Sequence, residues 1–338
     1  MITDAIDILV SNKSLSFEQA KSTMEEIMSG GATPAQFGAF VTALRMKGET
    51  ADEIAGMASV MRDKATPVSV SGPVVDTCGT GGDNSCSFNI STAAAFVAAG
   101  AGLKVAKHGN RAMSSKCGSA DVLEALGVKI DLGADAVARC IEEAGIGFMF
   151  APMFHPAMKY AAAPRREIGI RTVFNILGPL TNPARAASQV IGVADREIGD
   201  KMARVLHRLG TKHSLVVHGT DGMDEISIGG ISLVWNITEK GVDKLYEVSP
   251  AYFGYEAADL DEIKGETPAE NAAIIKRILN GERGAHRNVV AMNSAAALVA
   301  SDKAADLKEG AELAEATIDS GKARQKLEKL IELSQSIA

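Results

Sequence analysis

The fold of this chain is organised around the stretch Val75-Asp76-Thr77-Cys78-Gly79-Thr80-Gly81-Gly82-Asp83. A short strand is predicted near 74–77, and three glycines within four residues follow it directly. Glycine has no Cβ, so successive backbone N–H groups can converge there on an anion. The next segment, Asn89-Ile90-Ser91-Thr92, predicts the start of an Ala-rich helix near 91–101, whose free N–H groups also attract phosphate. Together these features predict an anion-binding strand–loop–helix unit.

A second loop of similar character follows the apolar segment Gly102-Leu103-Lys104-Val105-Ala106. It reads Lys107-His108-Gly109-Asn110-Arg111-Ala112-Met113-Ser114-Ser115. The segment 104–116 is basic and has no carboxylate, although the chain has a formal net charge of −7. A solvated basic loop is the alternative, but the accompanying Gly, Asn and Ser residues favour phosphate. Two such loops indicate a polyphosphate ligand.

Two familiar glycine motifs do not fit the first loop. A dinucleotide-binding fingerprint needs a third glycine where Asn84 stands, and a Walker A loop needs Gly-Lys-Ser/Thr, which is absent. A structural glycine turn remains an alternative, because tight turns also require glycine.

The composition narrows the class of protein. At 338 residues the chain exceeds a usual single core of about 250–300 residues, so two domains or one large domain are expected. The 46% hydrophobic and 4% aromatic content favours close helix packing through Ala and Gly. The balance of 42 acidic to 35 basic residues argues against nucleic acid or a membrane surface as partner.

The cysteines and the N-terminus indicate a reduced, cytoplasmic protein. Cys78, Cys86, Cys117 and Cys140 have no CxxC spacing, so neither a zinc site nor a disulfide framework is predicted. The opening Met1-Ile2-Thr3-Asp4 lacks a basic region followed by a long apolar segment.

Residues 1–65 are predicted to form an all-helical domain. Helix-capping sequences begin at Ser16, Thr33 and Thr50, and Pro34 occupies a first helical position. The segment from Thr66-Pro67 to Gly72-Pro73 is predicted to be a linker to a second domain at 73–338.

In the second domain, predicted strands alternate with helices. The strands lie near 74–77, 103–106, 146–150, 189–194, 214–218 and 232–237. The helices lie near 91–101, 119–126, 133–144, 196–209, 268–280, 288–300 and 307–334. This alternation predicts a mainly parallel sheet that binds ligands at the carboxyl ends of its strands, with an added antiparallel meander at 225–248.

Three further features carry chemistry. Arg165 follows the turn at His155-Pro156 and suits a planar carboxylate, although a surface arginine is the commoner case. The segment 175–183 is rich in Gly, Pro and Asn. This composition is as compatible with a rigid crossover between the domains as with a functional role. Asp224-Glu225 follows a strand and, facing phosphate loops, offers the oxygen ligands that Mg²⁺ prefers.

These motifs together resemble the anthranilate phosphoribosyltransferases of tryptophan biosynthesis over essentially the whole chain. The matching motifs are Gly79-Thr80-Gly81-Gly82-Asp83, Asn89-Ile90-Ser91-Thr92, Lys107-His108-Gly109-Asn110-Arg111, Gly118-Ser119-Ala120-Asp121, His155-Pro156-Ala157-Met158, the run 174–183 and Asp224-Glu225. Asn84 and Ser87 stand where the family often has Gly and Thr, and Ser87 retains the hydroxyl.

The resemblance implies an α/β protein of the nucleoside phosphorylase/phosphoribosyltransferase type, with a small N-terminal all-helical domain. It also implies a homodimer formed through the helical domain, and a helical crossover segment near 165–185 that joins this domain to the α/β domain. The implied reaction is Mg²⁺-dependent transfer of phosphoribose from phosphoribosyl pyrophosphate (PRPP) to anthranilate, the second step of tryptophan biosynthesis from chorismate, with two magnesium ions.

Carried over by motif, the residues fall into four roles. The PRPP site would comprise Gly79, Gly82, Asp83, Ser87, Asn89, Ile90, Ser91, Thr92, Lys107, His108, Gly109, Asn110, Arg111, Ala112, Met113, Ser114, Ser115 and Ser119. The anthranilate site would comprise Gly79, Asn110 and Arg165, and the metal ligands would be Ser91, Asp224 and Glu225. Lys107, Asp224 and Glu225 would be catalytic.

Two other functions remain as alternatives. A nucleoside phosphorylase of the same general fold would use phosphate in place of PRPP, and a non-enzymatic sensor would bind PRPP without consuming it. The 107–111 loop and the Asp224-Glu225 pair weigh against the phosphorylase.

Overall fold

The N-terminal part of the protein is helical. The structure, a computed structural model, describes residues 1–83, 85–112 and 116–337. Its first helices are α1 (Ile2–Val10), α2 (Phe17–Met28), α3 (Pro34–Lys47) and α4 (Ala51–Lys64). The capping boxes predicted at Ser16, Thr33 and Thr50 are present. In each box the hydroxyl of the capping residue accepts a hydrogen bond from the backbone N–H three residues later. The side chain of that later residue accepts a hydrogen bond from the backbone N–H of the capping residue. The predicted small helical domain is confirmed.

A mostly parallel sheet forms the centre of the remaining chain. Within the described residues its strands are β1 (Val75–Gly79), β2 (Val105–Gly109), β3 (Ile146–Phe150), β4 (Ser188–Gly192), β5 (His213–Gly219), β6 (Ser232–Thr238), β7 (Gly241–Val242) and β8 (Tyr246–Val248). The order is β3-β2-β1-β4-β5-β6-β7, and β8 also pairs with β6. Strands β1 to β5 pair in parallel, whereas β6 to β8 are antiparallel additions at one edge.

Helices cover both faces of the sheet. They are α5 (Ile90–Gly100), α6 (Ser119–Leu126), α7 (Ala134–Ala144), α8 (Ala151–Phe154), α9 (Lys159–Ile168), α10 (Phe174–Leu177), α11 (Arg196–Arg208), α12 (Pro268–Leu279), α13 (Ala285–Ala300), α14 (Leu307–Asp319) and α15 (Lys322–Ser336). Short 3₁₀ helices span Pro156–Met158, Gly178–Leu180, Pro250–Phe253 and Leu260–Ile263. The prediction of one helix over 307–334 is wrong, because Gly321 adopts a φ of +71° between α14 and α15.

The two faces of the sheet have different cores. On one face the Ala-rich α5 is buried against α13, α14 and α15, and a Cβ on Gly100 would lie 2.8 Å from the backbone nitrogen of Ala323. On the other face α11 packs between the sheet and α4, so the apolar core of the helical domain continues onto the sheet. The rings of Phe37 in α3 and Phe174 in α10 are 5.3 Å apart, so the segment after β3 also contacts the helical domain. None of the described helices has the length and apolar character needed to span a bilayer.

Candidate active site

The predicted loops lie where the sheet reverses its strand order. From β1 the chain continues to β2 and β3 on one side, and later to β4 and β5 on the other side. The carboxyl ends of β1 and β4 therefore border a crevice, and Gly79 pairs there with Gly192. In open α/β sheets such a crevice is the usual ligand-binding position.

Close backbone approach at this crevice explains several glycines. A Cβ on Gly79 would collide with the carboxylate of Asp224, and a Cβ on Gly192 would collide with the carbonyl oxygen of Asp224. The N–H of Gly81 donates to Oδ2 of Asp224 at 2.7 Å. Gly81 and Gly82 have φ values of +66° and +76°, which favour glycine. The first glycine loop and Asp224, predicted to share a site, are thus in contact.

A group of carboxylates lies beside the first loop. Oδ2 of Asp83 accepts the N–H of Asp224 at 3.5 Å, and Asp224 and Glu225 are half-buried. Burial, reinforced by the charge of Asp83, raises the pKa of Asp224 to about 7. Burial and the charge of Asp224 raise the pKa of Glu225 well above its usual value, with Lys107 opposing the shift. Because like charges repel here, a bound cation would stabilise the ionised group.

The donor set fits a hard cation that shares its coordination with substrate. In the described part of the chain, no group of three or more His, Cys, Asp or Glu side chains has the arrangement of a metal site. Mg²⁺ usually binds through one or two carboxylates together with substrate phosphates and water, so the acidic pair at 224–225 meets its requirements.

The N-terminus of α5 faces the same crevice. The backbone N–H of Ser91 acts to lower the pKa of Glu225, and Oγ of Ser91 lies 3.4 Å from Nζ of Lys107. The buried Oγ1 of Thr92 has no hydrogen-bond partner among the described residues. Asn89 is held by Nδ2 of Asn271, which donates to its Oδ1 at 2.9 Å. The predicted residues of this helix start therefore reach both the carboxylates and the second loop.

Lys107 is buried at the centre of the site. Its Nζ donates to the carbonyl oxygen of Thr77 at 2.5 Å. Burial lowers the pKa of Lys107, while the charges of Asp76 and Glu225 act in the opposite direction. The lysine thus places a basic group among acidic neighbours in a water-poor environment.

Sequence reasoning missed the role of Asp76 and Asn182. Oδ1 of the buried Asp76 accepts the N–H of His108 at 3.2 Å, and its Oδ2 accepts Nδ2 of Asn182 at 2.7 Å. Nδ2 of Asn182 also donates to the carbonyl oxygen of Ala106 at 2.8 Å. Burial raises the pKa of Asp76 to about 6, against the opposing charge of Lys107. A polar residue within an apolar strand and the Asn in the Gly/Pro-rich run were the available signals.

The second loop folds against the start of α6. Nη1 of Arg111 donates to Oδ1 of Asp121 at 2.9 Å and to Oε2 of Glu124 at 2.5 Å. Oγ of Ser119 donates to the carbonyl oxygen of Asn110 at 3.3 Å. Arg111 is therefore engaged by carboxylates in this conformation, so direct contact with phosphate would require it to exchange partners.

Part of the predicted PRPP site is outside the described residues. These residues are Met113, Ser114 and Ser115. Asn84, noted as a departure from the family pattern, also lies outside the described residues. Ser87 is described: its N–H donates to Oγ of Ser85 at 3.2 Å, and it forms an isolated bridge with Lys264.

Two histidines connect the second loop to the segment that leads to Arg165. Nε2 of His155 lies 3.2 Å from Nε2 of His108. Burial lowers the pKa of His108 to about 3 and that of His155 to about 4, so both rings are neutral near pH 7. His155 precedes α9, where the half-buried Arg165 lies with its Cζ 5.2 Å from the centre of the Phe174 ring. Burial lowers the pKa of Arg165.

Asn293 in α13 supports the acidic loop, and no sequence motif had indicated it. Its Oδ1 accepts the N–H of Ile226 at 2.8 Å, and its Nδ2 donates to the carbonyl oxygen of Ile226 at 2.9 Å. Because Ile226 follows Glu225 directly, this buried amide restrains the position of the acidic pair.

Comparisons with known proteins agree with this geometry. The family model described as "Glycosyl transferase family, helical bundle domain" matches residues 3–65, and that described as "Glycosyl transferase family, a/b domain" matches residues 71–324. An anthranilate phosphoribosyltransferase of Dehalococcoides mccartyi (strain ATCC BAA-2266 / KCTC 15142 / 195) is 59% identical over 339 residues, covering 100% of this chain and 99% of the relative.

Solved structures of the same kind are also similar. The crystal structure of anthranilate phosphoribosyltransferase from Thermus thermophilus has a TM-score of 0.93 and 44% identity, covering 98% of this chain and 99% of that chain. The Saccharomyces cerevisiae enzyme in complex with PRPP and Mg has a TM-score of 0.91 and 29% identity, covering 99% and 98%.

Proposed function

Because the chain belongs to the anthranilate phosphoribosyltransferase family, we propose that it transfers phosphoribose from PRPP to the amine of anthranilate. The products are N-(5-phosphoribosyl)anthranilate and pyrophosphate, in the second step of tryptophan biosynthesis from chorismate. The observation that best supports a role for particular residues is the hydrogen bond between Gly81 of the first loop and Asp224 of the acidic pair.

PRPP binds across the crevice between β1 and β4 in this proposal. Support comes from the glycine loop, from the N-terminus of α5, where the Thr92 hydroxyl has no partner among the described residues, and from the buried Lys107. The backbone N–H groups and the charge of Lys107 stabilise the negative charge that develops on the departing pyrophosphate.

Ser91, Asp224 and Glu225 would hold magnesium, with two ions in the loaded site. When bound, magnesium neutralises charge on the pyrophosphate leaving group. Oγ of Ser91 lies 3.4 Å from Nζ of Lys107, and the Ser91 N–H acts to lower the pKa of Glu225, which supports a shared site for the metal and the phosphates.

Anthranilate binds on the other side, where Gly79, Asn110 and Arg165 position it. Its aromatic amine is neutral near pH 7, so the protein needs to orient a nucleophile that is already competent. Arg165 pairs with the carboxylate, and proximity to C1 of the ribose supplies the acceleration. The His108–His155 contact supports this arrangement, because it connects the loop that carries Asn110 to the segment that enters α9.

The deciding experiment follows the fluorescence of anthranilate in the presence of purified protein and PRPP, with and without Mg²⁺. We expect a metal-dependent loss of fluorescence accompanied by release of one pyrophosphate per anthranilate consumed. No loss despite PRPP binding would contradict the transfer to anthranilate and would favour another acceptor or a sensor. Phosphorolysis of a pyrimidine nucleoside would identify a phosphorylase instead.

We also propose that the protein is a cytoplasmic homodimer formed through its helical domain. Helices α1 and α3 pack together, and Val10 and Met46 on them are 66% and 84% exposed, which supports an apolar interface there. Among the described residues Cys78, Cys86 and Cys140 form no disulfide, which is compatible with a reducing compartment. Sedimentation equilibrium tests the assembly, and a monomer at micromolar concentration would contradict it.

A further inference from the structure

Arg171, which the proposed site does not include, lies across the first glycine loop. The residue follows α9 and precedes α10, and its side chain is exposed. Nη2 of Arg171 donates to the carbonyl oxygen of Gly81 at 3.1 Å. A Cβ on Gly82 would lie 2.5 Å from Cζ of Arg171, so a side chain at position 82 would displace the guanidinium. Gly82 thus permits the arginine to lie directly against the loop backbone.

Gly81 is consequently held at both of its backbone polar groups. Its N–H donates to Oδ2 of Asp224, and its carbonyl oxygen accepts from Arg171. The loop here has positive φ angles at Gly81 and Gly82, and glycine has many alternative conformations available. Two anchors from distant parts of the chain therefore select one conformation of a flexible loop.

The exposed guanidinium of Arg171 has no carboxylate within ion-pair distance among the described residues. Asp83 and Asp224 belong to the same group of carboxylates beside the loop. The segment that carries Arg171 also carries Arg165, so one short stretch of chain reaches both the proposed acceptor site and the glycine loop.

We propose that Arg171 is a positioning residue for PRPP, acting through the Gly81 carbonyl to hold the first glycine loop in its binding conformation. This inference rests on the proposed function, because it assigns the loop to PRPP. It predicts that loss of Arg171 weakens the binding of PRPP with Mg²⁺ and leaves the binding of anthranilate and the thermal stability nearly unchanged.

The test compares Arg171→Ala and Arg171→Lys with Arg166→Ala, a control that removes an exposed arginine from the same segment. PRPP binding with Mg²⁺ is measured by calorimetry, and KM is determined for each substrate. For Arg171→Ala we expect PRPP binding to weaken by about tenfold, as for one charge-assisted hydrogen bond, with an unchanged KM for anthranilate. Arg171→Lys, which keeps a cationic donor, should recover part of the affinity, and Arg166→Ala should resemble the wild type.

Two results would overturn the role of Arg171. One is PRPP affinity in Arg171→Ala equal to that of the wild type or of Arg166→Ala. The other is an equal rise in both KM values together with a lower Tm, which would indicate a general structural role. Failure of the proposed function is distinguishable, because a wild-type protein that binds PRPP but does not consume anthranilate still permits the binding comparison.

Discussion

Gly81 and Asp224 are 143 positions apart in the sequence, yet the backbone N–H of Gly81 donates to Oδ2 of Asp224 at 2.7 Å. This hydrogen bond joins the loop after β1 to the loop after β5, across the point where the strand order reverses. A carboxylate proposed to bind magnesium is thus fixed by the loop proposed to bind pyrophosphate.

Replacing Gly192, the last residue of β4, with alanine should disrupt the neighbouring acidic loop and lower activity. A Cβ there would collide with the carbonyl oxygen of Asp224 and displace the acidic loop. Because small misplacements of catalytic groups are costly, we expect kcat/KM to fall by about 100-fold. Gly230→Ala is the matched control, since a Cβ at Gly230 has open space. Steady-state kinetics decides, and retained activity with an unchanged Mg²⁺ requirement would contradict the geometry.

The double variant Asp224→Asn with Glu225→Gln should lose most of the turnover through impaired use of Mg²⁺ and PRPP. Removing both charges leaves neutral amides, which are poor ligands for Mg²⁺. The control Glu239→Gln with Glu247→Gln removes the same charge from exposed positions. Rates are measured as Mg²⁺ is varied. Near-normal turnover of the site variant at limiting Mg²⁺ would remove these residues from the mechanism.

Arg165→Ala should act on the acceptor substrate. A guanidinium that pairs with the carboxylate of anthranilate contributes a charge-assisted hydrogen bond, so we expect KM for anthranilate to rise by about tenfold or more. Arg166→Ala again controls for the loss of positive charge. The assignment of Arg165 to anthranilate would be wrong if KM changed for PRPP alone.

Asn293→Ala should weaken both the fold and the acidic loop. It would leave the buried N–H and carbonyl groups of Ile226 without their partners, which is expected to lower the free energy of unfolding by roughly 2 kcal/mol. Urea unfolding measures that loss, and the apparent affinity for Mg²⁺ should fall with it. Asn288→Ala on the same helix is the control, and an equal effect of both variants would argue against a specific role for Asn293.

Asp76 should make stability depend on pH. Its pKa in the folded protein is about 6, raised from the ordinary value of 3.8, so between these values the folded state binds more protons than the unfolded state. The free energy of unfolding therefore contains a contribution from Asp76 that decreases as the pH rises through this window, by roughly 3 kcal/mol in total.

Asp76→Asn removes this contribution. As the pH rises from about 4 to 6, the free energy of unfolding of the variant should increase relative to that of the wild type. Urea unfolding at several pH values measures this difference. A stability difference that stays constant over this range would show that Asp76 does not titrate there.

The sequence by itself determined the local structure and the chemical types of the site. Proline and glycine positions, capping sequences and apolar runs depend on interactions within a few residues, so the helical domain and most strands and helices were predictable. The break in the long final helix was missed because Gly321 separates α14 from α15 only through its backbone conformation. The glycine loop, the basic loop and the acidic pair are likewise local features, so the sequence alone predicts them as binding elements.

Only the tertiary structure decided which side chains meet. The pairing of Asp76 with Asn182, of Asn293 with Ile226, and of Arg171 with Gly81 joins residues from separate elements. Such contacts depend on how the strands are ordered in the sheet and on burial, and burial also raises the pKa of Asp76 and lowers that of Lys107. Neither the contacts nor the pKa shifts are encoded in local spacing, because both arise when distant segments exclude water from a common site.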